Sequence, residues 1–318
     1  MSSFMSSLSS QNRSRAARIT FPSAVIQQKW PDFQALCERV FKEGAAYEDV
    51  RQALRKEDSG DPLVAYILSI VLSYHHFFTF HDVLPHGLNE REGFGYCTWA
   101  FIRGAMTLAR IEGRSFEMPV VGVSERKNTG RVLLAERQAH PHMADGAAVH
   151  GTDQIYLAEA ASLSANRDEK RHADLFKLKR DMKDSWISQM REIITTTLPP
   201  SRLTVFGSAS YRHETSFFAM DFAGVFRLCQ IGAMIIPTKQ ANFANSMRSC
   251  VTACLDFVLM MSEQLNERQA CKTITYKERL ELEEACDALP TTSSTPVKEI
   301  KKRKAHKQGP RDQVICRA

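Results

Sequence analysis

The spacing of apolar residues changes along this chain and divides it into a helical first part and a mixed second part. From Ser23 to about Gly113, apolar residues recur every three or four positions, which predicts helices. The most apolar run, Leu63–Phe80, follows the helix-start pair Asp61-Pro62. A membrane-spanning helix needs about 20 predominantly apolar residues. This run is shorter and contains Tyr, Ser and His, so it predicts a buried core helix and no membrane partner.

The pattern becomes mixed at Arg114. Short apolar runs that are broken by Asn, Gly and Pro follow this residue, and they predict strands and loops. Residues 142–162 predict two short strands joined by a turn at 150–153. A helix is predicted from Asp168 to Thr195, because six apolar residues form one stripe at helical spacing: Leu175, Leu178, Met182, Trp186, Met190 and Ile193.

The last part of the pattern returns to alternation and then to a helix. Strands are predicted at 203–210, 215–222 and 224–231, with a fourth at 234–237, before a long helix from about Ala241 to Asn266. The helix at 168–195 lies between strands, so it can connect two parallel strands across one face of a sheet. The pattern therefore predicts an α/β fold, with a mixed sheet, flanking helices and a helical N-terminal extension.

The predicted organisation has four regions: a disordered N-terminal tail at 1–22, a helical part at 23–113, an α/β core at 114–288 and a basic disordered tail at 289–318. From Thr291 on, the chain has eight Lys and Arg and two Asp and Glu, and this net +6 equals the formal charge of the whole chain. The body is therefore neutral, which argues against a broadly basic nucleic-acid surface. The cluster KEIKKRKAHK is a candidate nuclear-localisation or nucleic-acid segment, and a solvated tail without an address is the alternative.

Cysteine usage and the N-terminus predict an intracellular protein. The eight cysteines are scattered, none is spaced CxxC, and no apolar secretory region is present at the start of the chain. A mitochondrial presequence remains open for the Ser- and Arg-rich first residues.

Two acids of the predicted hairpin carry the candidate chemistry. Asp145 and Glu159 lie on neighbouring predicted strands, so their carboxylates can converge. Mg²⁺ is bound in proteins through one or two carboxylates together with waters and substrate phosphates. Such an ion can promote cleavage of a phosphodiester, and nucleic-acid cleavage usually adds a nearby lysine.

This layout resembles the core of the PD-(D/E)XK nuclease superfamily: a helix, a strand ending in Asp145, a turn, a strand with Glu159, and a helix. Pro141 and Asp145 stand where the PD region falls, although they are not adjacent. Glu159-Ala160-Ala161 stands where (D/E)XK falls. The resemblance implies a restriction-endonuclease-like core, Mg²⁺ held by Asp145 and Glu159, and nucleic acid as the partner.

The catalytic lysine of that family is missing from its usual position, where this chain has Ala161. The resemblance is therefore to a degenerate core, which associates with nucleic acid with or without cleavage. A displaced lysine is a known theme in the superfamily, and Lys177 or Lys179 on the next helix is the candidate replacement. KLKRDMKDSW followed by LTVFGSAS also resembles uncharacterised multigene proteins of early-diverging fungi, over roughly residues 95 to 260.

Other interpretations of the same residues stay open. Asp145 can belong to a turn with Gly146 and Glu159 to an exposed strand face, although a buried acid among apolar neighbours needs a partner. His140 and His142 together with Asp145 form a candidate zinc set. The alternative function is a non-catalytic interaction module that binds a protein partner through the helical N-terminal half, and an exposed apolar face on Leu63–Phe80 would favour it.

Overall fold

The computed structural model describes most of the chain between residues 26 and 272. The described residues are 26, 28–85, 87–129, 138–151, 153–165, 168–193, 196, 198, 202–223, 225–272, 275, 277 and 280. The predicted disordered tails at 1–22 and 289–318, and with them the basic cluster, lie outside this set.

Helices make up most of the first part of the described chain. They are α1 (Phe33–Val40), α2 (Tyr47–Leu54), α3 (Pro62–Ser73), α4 (His75–Phe78), α5 (Glu90–Glu92), a π-helical segment (Gly93–Trp99) and α6 (Ala100–Leu108). Three further helices follow in the second part of the chain: α7 (Val121–Asn128), α8 (Asp168–Ile193) and α9 (Phe243–Gln269). A 3-10 turn (Gln240–Asn242) precedes α9.

The described strands form one mixed sheet whose spatial order is the chain order. They are β1 (Glu112–Pro119), β2 (Met143–His150), β3 (Asp153–Ala160), β4 (Val205–Tyr211), β5 (Glu214–Phe222) and β6 (Phe226–Ile235). β3 and β4 are parallel, and every other neighbouring pair is antiparallel. α8 connects β3 to β4, so the predicted mixed α/β sheet and its crossover helix are confirmed.

The apolar run at Leu63–Phe80 forms core helices. α3 begins where the Asp61 carboxylate accepts the backbone N–H of Leu63 at 2.7 Å, and Pro62 occupies the first helical position. Most of the large apolar side chains in the run are buried, whereas Leu72 and Phe80 are 47% and 75% exposed. None of the described helices is long and apolar enough to span a membrane.

The sheet separates two apolar cores. The α8 core contains Leu157 of β3, Leu178, Met182 and Trp186 of α8, and Val123 of α7. The larger core, on the opposite face, contains the apolar residues of the N-terminal helices and of α9. Both faces of the sheet are therefore covered. On one of them, α8 is the helix that lies over β2, β3 and β4.

The region after Arg114 differs from the prediction of strands and loops. β1 begins at Glu112, inside the range predicted as helical, and Val121–Asn128 is the helix α7. Gln154 of β3 anchors its start, because the amide accepts from Val121 N–H and donates to the Pro119 carbonyl, each at 2.7 Å. A Cβ on Gly122 would lie 2.3 Å from the Asp184 carbonyl oxygen, so α7 contacts the backbone of α8. This long-range contact stabilises a helix that the local pattern does not indicate.

The end of the sheet also differs in detail. The strands predicted at 224–231 and 234–237 are one strand, β6, which pairs with β5 on both sides of Gly232. A register shift between Phe217 and Phe218 of β5 accommodates the continuous pairing. Gly232 pairs with Phe217 and Gln230 pairs with Phe218, so the pairing passes over Ile231 and the two predicted strands form one.

Candidate functional site

Asp145 and Glu159 lie on adjacent antiparallel strands. β2 and β3 pair through Gly146 and Ala158 and through Ala147 and Leu157, so Asp145 and Glu159 are the next residues along the two strands. Glu159 shares the α8 face of β3 with Leu157, two residues before it. Asp145 is near the start of β2 and does not end it, which corrects the predicted position of this acid.

The Asp145 carboxylate is held at the point where the pairing of β2 and β3 opens. Its Oδ2 accepts the backbone N–H of Ala160 at 2.7 Å. Asp145 therefore bonds to the residue directly after Glu159, and the two acids are fixed at one end of the hairpin. The interpretation of Asp145 as a turn residue is wrong, because the turn lies at the other end of β2, beyond His150.

Glu159 is buried, with 4% of its surface exposed, so its interpretation as a residue of an exposed strand face is wrong. Its partner is Lys177 of α8, whose ammonium group donates to Glu159 Oε2 at 2.7 Å. The same ammonium group donates to the Met143 carbonyl of β2 at 2.6 Å. Lys177 thereby connects α8 to both strands of the hairpin, beside the two acids.

Lys179 has a different environment, although it is only two residues from Lys177. Each residue of an α-helix advances by about 100°, so Lys179 lies about 200° around α8 from Lys177. Its side chain is exposed. Of the two lysines named from the sequence, only Lys177 contacts Glu159 in the described structure.

Burial dominates the electrostatics of the two acids. It raises the pKa of Glu159 to about 8, while the charge and hydrogen bond of Lys177 act in the opposite direction. The negative charges of Asp145 and Asp181 add to the increase in the Glu159 pKa. Burial also raises the pKa of Asp145, and the Ala160 N–H opposes that change. The charge of Asp145 therefore acts on the ionisation of Glu159.

Three charged residues near the acids were not identified from the sequence. Lys170 of α8 forms an ion pair with Glu90 of α5, and the charges of both act on Asp145. Asp174 of α8 has a raised pKa because of burial, and its buried Oδ2 has no hydrogen-bond partner among the described residues. Residues 170, 174, 177 and 181 are three or four positions apart, which places them on one face of α8. This spacing is the sequence pattern that could have identified Lys170 and Asp174.

Carboxylate oxygens make this a chemically suitable set for Mg²⁺. That ion is commonly bound by one or two carboxylates, with waters and substrate phosphates completing the coordination, and Asp145 and Glu159 supply such a pair. Among the described residues, no group of three or more His, Cys, Asp or Glu side chains is arranged to hold a metal ion. A closed structural zinc site, which requires four protein ligands, is a poorer match to this geometry.

The histidines of the candidate zinc set point elsewhere. His140 is exposed, and its backbone carbonyl accepts from the Lys127 ammonium group at 3.0 Å. His142 Nδ1 lies 2.8 Å from Asp181 Oδ1 on α8. The bonded partner of His142 is therefore Asp181 and not Asp145.

Comparison of the chain with family models, curated proteins and solved structures gives no match. The contacts that bear on function are the ion pair of Lys177 with Glu159 and the hydrogen bond from the Ala160 N–H to Asp145. Most of the large apolar side chains of Leu63–Phe80 are buried, and Leu72 and Phe80 are its exposed large apolar residues.

Proposed function

We propose that the protein associates with nucleic acid through a metal-dependent, nuclease-like site formed by Asp145, Glu159 and Lys177. The observation that carries this proposal is the 2.7 Å contact between the Lys177 ammonium group and the buried Glu159 carboxylate. A buried ion pair can often be replaced, as a pair, by well-packed apolar residues at no cost to stability. A buried acid–lysine pair at a strand end, with a strongly raised pKa of the acid, therefore suggests a function.

The order of elements supports the likeness to the PD-(D/E)XK core. A helix precedes β2 with Asp145, a turn leads to β3 with Glu159, and α8 follows. Lys177 takes the role that Ala161 cannot perform, since its ammonium group approaches Glu159 from α8 across the face of the sheet. On this reading the core is a restriction-endonuclease-like core in which the lysine has moved from the strand to the helix.

Each residue has a distinct role in the proposed site. Asp145 and Glu159 hold the ion, and the Lys177 ammonium group orients Glu159 and places positive charge where a phosphodiester would approach. When bound, Mg²⁺ supplies a Lewis acid that polarises a phosphoryl oxygen and neutralises its charge. The Ala160 N–H fixes one Asp145 oxygen, and the other carboxylate oxygen is the ligand atom in the proposed site.

Cationic side chains of α7 and α8 provide a route for phosphate recognition. Lys127 of α7 and Arg180 and Lys183 of α8 are partly buried, and the pKa of Lys127 is lowered first by burial and then by the charges of Arg126 and Arg180. These cations are therefore grouped along α7 and α8, although the body of the chain is neutral overall. A grouped set of this kind can contact several phosphates of one strand.

The proposed function predicts metal-dependent action on nucleic acid that requires Asp145. Purified protein would be incubated with labelled single- and double-stranded DNA and RNA, with Mg²⁺, with Mn²⁺ or with chelator. We expect cleavage or metal-enhanced binding of at least one substrate with the wild type, and its loss with Asp145→Ala. Glu169→Ala, an exposed acid in the first turn of α8, is the matched control. Equal behaviour of wild type and Asp145→Ala, or no interaction with any substrate, would contradict the proposal.

A further inference from the structure

A second buried polar pair lies beside the proposed site. His142, at the residue before β2, and Asp181 of α8 are joined by the 2.8 Å contact between Nδ1 and Oδ1. Asp181 is 1% exposed, and its Oδ2 has no hydrogen-bond partner within the described structure. Burial of a carboxylate with one bonded oxygen is costly, so the pair requires an explanation.

This pair is adjacent to the pair formed by Lys177 and Glu159. Asp181 follows Lys177 by four residues and therefore lies on the same face of α8, one turn further on. His142 directly precedes Met143 in the chain. The Met143 carbonyl accepts a hydrogen bond from the Lys177 ammonium group at 2.6 Å. The negative charge of Asp181 is also one of the causes of the raised pKa of Glu159. The two pairs thus form one continuous polar cluster between α8 and the start of β2.

The contact with Asp181 selects one form of the imidazole ring. An ionised carboxylate can only accept a hydrogen bond, so Nδ1 carries the proton in this contact, and Nε2 of the neutral ring keeps its lone pair. The Arg180 guanidinium Nη2 is 3.2 Å from Nδ1 and 3.3 Å from Nε2. Because it is almost equidistant from both nitrogens, this group lies over the ring and not along the Nε2 lone pair.

The charged groups of this polar cluster come from three elements. Asp181, Arg180 and Lys177 are on α8, Lys127 of α7 donates to the His140 carbonyl, and Glu159 of β3 is the partner of Lys177. Among these groups, the contacts of His142 in the described structure are those with Asp181 and Arg180. The side chain is 18% exposed, so the ring is held by the protein and still reaches solvent.

We propose that His142 is the proton acceptor of the site and that Asp181 is the positioning residue that fixes its tautomer. This inference rests on the proposed function, since it supplies that function with a general base. In the step, a water oxygen forms a bond to phosphorus while the bond from phosphorus to the leaving sugar oxygen breaks. The proton of the water passes to His142 Nε2, the leaving oxygen takes a proton from solvent, and His142 later releases its proton to solvent.

Nuclear magnetic resonance of the histidine side chains tests the positioning part directly and does not depend on activity. In ¹⁵N-labelled full-length protein, His142 is expected to show a single tautomer with the proton on Nδ1. Asp181→Asn is expected to shift this population toward the tautomer with the proton on Nε2. His140→Ala assigns the neighbouring histidine and serves as the matched control. A wild-type ring with its proton on Nε2, or no change in Asp181→Asn, would overturn the inference.

The cleavage assay tests the proton-acceptor part on the same proteins. His142→Ala is expected to lower the rate by about 10²- to 10⁴-fold, the usual range for loss of a general base, with partial rescue by added imidazole. Asp181→Asn is expected to change the pH dependence of the rate, and His140→Ala is expected to leave it unchanged. Cleavage that requires Asp145 but survives in His142→Ala would overturn this inference alone. Absence of any Asp145-dependent cleavage would overturn it together with catalysis in the proposed function.

Discussion

Replacement of Lys177 by alanine is expected to lower the metal-dependent cleavage rate by about two to four orders of magnitude. The ammonium group is the hydrogen-bond partner of the buried Glu159 carboxylate, at 2.7 Å, and it also bonds to the Met143 carbonyl. Without it, the buried Glu159 loses the cation that stabilises its charged form, and the proposed site loses a positive charge that would face a phosphodiester. Rates at saturating substrate and Mg²⁺ provide the measurement.

Lys179→Ala is the matched control for this prediction. It removes the same charge from the same helix, but at an exposed position about 200° away around α8. We expect its cleavage rate to stay within about twofold of the wild type, because surface substitutions away from a site have small effects. Circular dichroism melting would verify that both variants fold. Similar rates for Lys177→Ala and the wild type, or an equal loss in Lys179→Ala, would remove Lys177 from the proposed site.

Glu159→Gln is expected to abolish metal-dependent cleavage while it stabilises the fold at alkaline pH. Burial raises the pKa of Glu159 to about 8 from an ordinary value of 4.5. The folded state therefore holds this proton more tightly than the unfolded state does. The contribution of this proton to the free energy of unfolding is fully present below pH 4.5. It falls as the pH rises and is lost above about pH 8. Gln has the same shape and stays neutral, so the variant does not lose this free energy of unfolding at alkaline pH.

Chemical denaturation of Glu159→Gln and wild type at pH 4 and pH 9 measures the effect. We expect the variant to be more stable by about 1–3 kcal/mol at pH 9, with little difference at pH 4, because one pKa unit corresponds to about 1.4 kcal/mol. Glu169→Gln neutralises an exposed acid and is expected to show no such dependence on pH. A Glu159→Gln variant that is less stable at pH 9 would mean that the ion pair with Lys177 has a mainly structural role.

The hairpin and the long helices could be predicted from the sequence because their signals are local. Gly151 and its polar neighbours indicate the turn between β2 and β3, and a regular apolar stripe indicates α8. The helix α7 could not be predicted, because it depends on Gly122 packing against the backbone of α8 and on Gln154 of β3. Such contacts join residues that are far apart in the chain.

The two acids of the site were identified from the sequence, but the lysine could not be chosen. Lys177 and Lys179 flank Leu178, which faces the α8 core, so they lie symmetrically on the two sides of the buried stripe. The position of α8 across β2 and β3 decides which side faces Glu159, and this position is a property of the whole sheet. His142 was identified as a candidate metal ligand, whereas its partner Asp181 depends on the same placement of α8.

Calorimetric titration with Mg²⁺ and Mn²⁺ tests whether Asp145 and Glu159 form a metal site. The titration compares wild type with Asp145→Ala at pH 9, above the Glu159 pKa of about 8, where the carboxylate is ionised. The proposed site predicts saturable binding by the wild type that weakens as the pH is lowered to 7 and is lost in the variant. No binding at millimolar metal, or equal binding by both proteins, would mean that the hairpin carries its acids for another reason.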